Sequence, residues 1–145
     1  MSQWAIRRES KQMHGSPYAR ARAAARYESP GELPAELFTA HRSEQLLALA
    51  ALLDEAGWIH EQGGRWRVGF THTRRALVEQ TAALMQRLGI HVGPIKATPR
   101  GYRSAFTLVP GLRSLLSAGA YFNDALKQTR LLAASTTLHA APPKG

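Results

Sequence analysis

The chain has 145 residues, 44% of them apolar, enough for one ordinary core and too few for two. Nineteen Lys plus Arg against ten Asp plus Glu give a net charge of +9 and a pI near 10.8, which favours a polyanionic partner. There is no cysteine, so disulfides, thiolate catalysis and cysteine-ligated zinc are excluded, and no run reaches the roughly 18 apolar residues of a membrane-spanning helix.

Residues 1–15 show no hydrophobic period, only Trp4 and Ile6 among charges, and read as an arm that orders on something else. Ser16-Pro17 is a helix start, followed from Tyr18 to Tyr27 by alanines with Arg20, Arg22 and Arg26. Glu9 is the only acid before residue 28, a composition shared by organellar transit peptides and by nucleic-acid-binding arms. Ser29-Pro30-Gly31 breaks this helix, and Glu32 to His41 forms a short turn or helix that tucks Leu37 and Phe38 under the domain. Residues 1–42 are therefore expected to be a basic arm and connecting segment, 43–134 the folded domain, and 135–145 a disordered tail.

Ser43 is positioned to cap a helix with Glu44 in its first turn, leading into Leu46 to Ile59, L-L-A-L-A-A-L-L-D-E-A-G-W-I. This helix is apolar nearly all round and calls for burial on more than one side. Ala48, Ala50 and Ala51 allow another backbone to approach closely, so it is expected to pack under its own domain and against a second copy or half. Gly57 ends it. The pattern then turns extended. Trp58-Ile59-His60-Glu61 and Arg65-Trp66-Arg67-Val68-Gly69-Phe70 flank Gln62-Gly63-Gly64 as a hairpin, with Trp66, Val68 and Phe70 on one face and Arg65 and Arg67 on the other. Trp58 and Trp66 both have faces that could stack on nucleobases, and Trp66, in line with Val68 and Phe70, reads as core.

Thr71 or Thr73 opens the next helix, with Leu77, Thr81, Leu84, Met85 and Leu88 as its apolar stripe and Gly89 as its end. Ile90 to Ala97 reads as extended but interrupted at Gly93-Pro94, and Tyr102 to Val109 alternates with Phe106 and Leu108 inward, giving a second hairpin around Pro99-Arg100-Gly101. Pro110-Gly111 precedes a third helix that extends toward Ala134. The order is α-β-β-α-β-β-α, an α+β class. Residues 61–113 hold nine Arg or Lys against Glu61 and Glu79. A two-stranded ribbon fits the DNA major groove, so Arg65, Arg67, Lys96, Arg100 and Arg103 are expected on nucleic acid, with His60, Gln62, Thr98 and Thr107 as base-edge readers. The histidines at 14, 41, 60, 72, 91 and 139 lack metal-site spacing and read as surface residues.

Leu49-Ala50-Ala51-Leu52-Leu53-Asp54-Glu55-Ala56-Gly57 resembles the L-A-G-L-I-D-A-D-G motif of the LAGLIDADG homing endonucleases, with Leu53 in place of Ile, and Arg87-Leu88-Gly89-Ile90 resembles the L-G-I that commonly closes their middle helix. The resemblance covers residues 43 to about 126 and implies half of a saddle-shaped αββαββ fold, completed by a homodimer. It further implies motif helices paired through Leu46, Leu49, Ala50, Ala51 and Leu53, and sheets laid along double-stranded DNA. In the family the acid before the final glycine helps hold divalent metals, and here that residue is Ala56, whose methyl group cannot ligate Mg²⁺. Asp54 matches the other acidic position and Glu55 lies one residue short, so these two are the candidate catalytic residues. The expectation is an intracellular DNA-binding homologue, cytoplasmic, nucleoid-associated or organellar, that does not cleave and needs no cofactor. The alternatives are an active Mg²⁺-dependent endonuclease, a structural or RNA-binding protein on structured RNA, and a winged helix-turn-helix regulator.

Overall fold

The computed structural model describes residues 16–28, 31–99, 101–106 and 108–140. Its helices are α1 (Pro17–Ala25), α2 (Arg42–Ala56), α3 (Arg75–Arg87), α4 (Leu108–Ala118) and α5 (Ala125–Ala140), with a 3₁₀ turn at Ala35–Thr39. The strands are β1 (Gly57–Gln62), β2 (Arg65–His72), β3 (Lys96–Thr98) and β4 (Gly101–Phe106), in one antiparallel sheet of order β1-β2-β4-β3. The class is α+β, and from α2 to α4 the elements follow the αββαββα order read from the sequence, with α5 added after it.

Helix α2 is the centre of the core. Ala48, Leu49, Ala50, Ala51, Leu52 and Leu53 are each at most 1% exposed, as an all-round apolar helix demands. On the sheet, Ile59, Val68 and Phe70 turn to the same side and bury with Leu77, Leu84 and Met85 of α3 and Leu115 of α4. Trp66 packs against this core, in line with its alternation.

Several boundaries differ from the sequence reading. Helix α2 begins at Arg42, with His41 rather than Ser43 at the cap position and no side-chain capping bond. Strand β2 runs through Thr71 to His72, and Arg74, not a threonine, precedes α3. The ladder with β4 extends the strand past the point where local pattern ends it, pairing Thr71 with Arg103 and His72 with Tyr102. Leu108 lies in the first turn of α4 rather than in a strand, and Pro110 falls within that turn, where a missing N–H costs no helical bond. The third helix does not continue to Ala134. Gly119 takes φ +84°, and its N–H and that of Ala120 close onto Leu116 and Leu115 carbonyls, ending α4 before α5 starts afresh. Helix α5 passes Ser135 and reaches Ala140, so the expected disordered tail is helical that far.

Helix α1 is the largest departure from the arm expected over residues 1–42. Ser16 Oγ accepts the Ala19 N–H at 3.1 Å, capping the helix as its Ser-Pro start implies. Ala21, Ala24 and Ala25, spaced i, i+3, i+4, are at most 6% exposed and lie against α2. Arg22 and Arg26 near the end of α1 both reach Glu55 at the end of α2, so the two helices run in the same direction. Small side chains on both sides let the backbones approach closely.

His72 fastens the end of α1 to the sheet. It is 4% exposed, which corrects its reading as a surface residue. Its Nδ1 accepts the Arg74 N–H at 3.0 Å, which leaves the ring proton on Nε2 to be donated to the Ala25 carbonyl, also at 3.0 Å. The ring stacks on Tyr27, centroids 4.4 Å apart, and Thr73 Oγ1 donates to the Tyr27 hydroxyl at 2.8 Å. Burial pushes the His72 imidazole below its usual pKa, the Ala25 carbonyl opposes that shift, and the charge of Arg74 adds to it.

Two outcomes follow from this packing. Ala24→Leu should overfill the α1–α2 contact and cost about 1–3 kcal/mol in a urea melt. Since His72 titrates lower when folded than when unfolded, its contribution is complete above about pH 6.5 and is lost as the pH falls through the folded value. The urea midpoint should therefore drop between pH 7.5 and 5.5, and a His72→Gln chain should start lower and lack that drop.

Candidate nucleic-acid interface

The β1–β2 hairpin turns at Gly63-Gly64 and pairs Gln62 with Arg65, His60 with Arg67, and Trp58 with Gly69. These rungs alternate with those of Ile59–Val68 and Gly57–Phe70, whose side chains are in the core. Side chains on alternate rungs project to opposite faces, so His60, Arg65 and Arg67 share the face turned away from the helices. Across the sheet, Thr71, Arg103 and Lys96 form one rung, and Thr98 pairs with Gly101. His60, Arg65 and Lys96 are exposed and Arg67 is partly so. The paired positions on these rungs include no acid, because Glu61 sits opposite Trp66 on an alternate rung.

The ladder thus brings His60, Gln62, Arg65, Arg67, Lys96, Thr98 and Arg103 into one sheet at matching parity. Arg100 and Thr107 lie outside the described residues. The Thr98 hydroxyl donates to the Gly101 carbonyl at 3.2 Å and helps close the β3–β4 turn.

On the β1–β2 side of this face is an arrangement that spacing alone did not disclose. The Trp58 ring lies over the backbone of Gly69, and a Cβ at position 69 would overlap Trp58 Cζ2. Trp58 Nε1 donates to Thr71 Oγ1 at 3.0 Å, and His60 stacks on the indole with centroids 5.1 Å apart and planes 21° from parallel. The visible signal was Gly69 in the middle of a strand, a position where glycine marks close approach by another group.

The carboxylates at the motif end are held by other parts of the chain. Asp54 Oδ1 accepts the N–H groups of Asn123 and Asp124 at 2.8 and 3.0 Å, holding the chain just before α5. Lys127 Nζ in turn donates to the carbonyls of Leu53 and Asp54, at 3.2 and 2.6 Å, closing the end of α2. Glu55 is gripped by Arg22 at 3.2 Å and Arg26 at 2.8 Å. Burial alone would raise its pKa, but the hydrogen bonds and charges of Arg26 and Arg22 outweigh burial and hold the carboxyl below its usual range. Among the described residues no three His, Cys, Asp or Glu side chains converge as a metal site. Asp54, Glu55 and Ala56 do not fit the Mg²⁺ that the family resemblance implies: one carboxylate binds backbone, one is neutralised by arginines and the third residue has no oxygen to offer.

No family model matches this chain, and neither does any curated protein.

The face expected to meet a second copy is already filled. Leu49, Ala50, Ala51 and Leu53 are at most 1% exposed within the single chain, and Leu46 is partly buried against the core. Helix α1 supplies part of that cover, because its three alanines satisfy the same demand for a close helical neighbour that a partner helix would. Leu47 is the large apolar side chain of α2 left exposed, at 44%. Among the described residues no helix is long and apolar enough to cross a membrane.

If Asp54 serves as a fastener, Asp54→Ala should free two backbone N–H groups and cost about 1 kcal/mol in thermal or urea unfolding, the site being partly open to water. The same substitution should leave nucleic-acid affinity unchanged in a binding titration, with or without Mg²⁺.

Proposed function

We propose that this protein binds double-stranded DNA through the outer face of its four-stranded sheet and does not cut it. The observation that carries the reading is the set of rungs on which His60, Arg65, Arg67 and Lys96 gather with no acid between them, while the apolar rungs alternate into the core. Such a ribbon can enter a major groove and set guanidinium and ammonium groups against phosphates and base edges. Net +9 supplies attraction over a longer range. The element order from α2 onward supports descent from a LAGLIDADG-type half, and the occupied acids at the motif end support loss of cleavage.

The two-fold pairing implied by the family resemblance is replaced in this reading by a single chain, since α1 covers the helix face through which pairing would occur. The test is a salt titration of binding to a mixed-sequence duplex, with structured RNA as competitor and solution mass measured alongside. Binding should weaken steeply with salt, DNA should outcompete RNA, and the mass should be near 15.9 kDa. A chain carrying Arg65→Ala, Arg67→Ala and Lys96→Ala should lose at least about tenfold in affinity and about one unit of log–log salt slope for each phosphate contact removed. Unchanged affinity in that variant would remove the sheet face from the binding surface. Defined breaks in the duplex on adding Mg²⁺ would overturn the non-cleaving assignment.

A further inference from the structure

Phosphate binding uses the basic side chains of the sheet face and leaves its aromatic pair, Trp58 and His60, without a role. Trp58 does not project from the strand but folds down across Gly69, fixed at its nitrogen by Thr71. His60, two residues on and exposed, stacks on the indole, whose other face lies against Gly69. Arg67 lies directly opposite His60, and Arg65 is next on the same side of β2. The result is a held aromatic surface beside guanidinium groups, on a face whose paired rungs carry no acid.

We infer that His60, backed by Trp58, forms a stacking site for an unpaired DNA base, one bulged out of a duplex, with Arg67 and Arg65 taking the adjoining phosphates. The inference rests on the proposal that this face binds DNA and adds the kind of DNA it prefers. Paired bases keep their flat faces inside the helical stack, so an aromatic surface gains nothing from them. An unpaired base offers a whole π-face, and every base has one, so the site selects for unpairing rather than for sequence. Because the indole is already clamped by Gly69 and Thr71, little side-chain freedom is lost on stacking. A tryptophan over a glycine also seals the sheet, as aromatic cover of strand glycines does elsewhere. The two roles separate at His60, which is exposed and seals nothing.

The experiment compares the full chain on three labelled oligonucleotides by anisotropy: a perfect duplex, the same duplex with one bulged thymine, and the bulged sequence as RNA. The bulged DNA should bind about tenfold more tightly than the perfect duplex, in the range one base–aromatic stack supplies. His60→Ala should bring the two DNAs to within about twofold of each other, with most of the loss falling on the bulged DNA, and leave the melting temperature unchanged. Trp58→Leu, which keeps an apolar cover over Gly69 but has no ring, should do the same to the preference and gives a second reading if either variant is less stable. Equal binding of bulged and perfect DNA, a preference that survives both substitutions, or tighter binding of the RNA would each overturn the stacking site. If the perfect duplex binds in an Arg65- and Arg67-dependent manner while no bulge preference exists, the platform alone fails. If neither DNA binds, the DNA-binding proposal fails and the platform with it.

Discussion

Everything in this fold depends on burying α2 on all sides. A helix with one apolar stripe can rest on a sheet and leave its back to water, but residues 48–53 present carbon in every direction, so each direction needs cover. The sheet and α3 supply part of it, and α1 supplies another part through alanines that bring its backbone close to that of α2. That demand explains why a stretch of chain with the composition of a loose basic arm is instead a core element. It also explains the fasteners at the end of α1, because a helix of only nine residues has little stability of its own and must be tied down.

The ties reuse charged groups that would otherwise look functional. Arg22 and Arg26 belong to the basic excess of the N-terminal segment, and Glu55 stands beside a position where the resembling family keeps a metal ligand. In this chain the three groups face one another. Asp54 similarly spends its carboxylate on the backbone before α5. Both carboxylates have structural partners, and the residue that follows them, Ala56, has no oxygen to offer. The basic sheet face lies apart from these pairs, so its residues stay available to a polyanion.

The alternation of Trp66, Val68 and Phe70 against Arg65 and Arg67 was enough to assign the two faces of β2, since strand parity is a local property. The all-round apolar character of residues 46–53 foretold burial on several sides, and Ser16-Pro17 foretold the start of α1. Other features had no local signature. His72 looks in sequence like any surface histidine, and only the arrival of Ala25 and Tyr27 from the end of α1 makes it a buried fastener. Trp58 in a strand of alternating residues gives no hint that its ring folds across the neighbouring strand, because the permissive glycine is 11 positions away.

The sequence by itself determined the types and order of the elements from α2 to α4, the basic face of the sheet and the absence of an acid at position 56. These follow from periodicity, parity and side-chain chemistry, which act over a few residues. Tertiary structure decided who covers α2, what Asp54 and Glu55 hold, where β2 ends, and that Trp58 and His60 form one surface. Those outcomes depend on contacts between residues far apart in the chain. A pattern can state that a helix face must be buried, but many segments can bury it, and only the folded chain selects which one does.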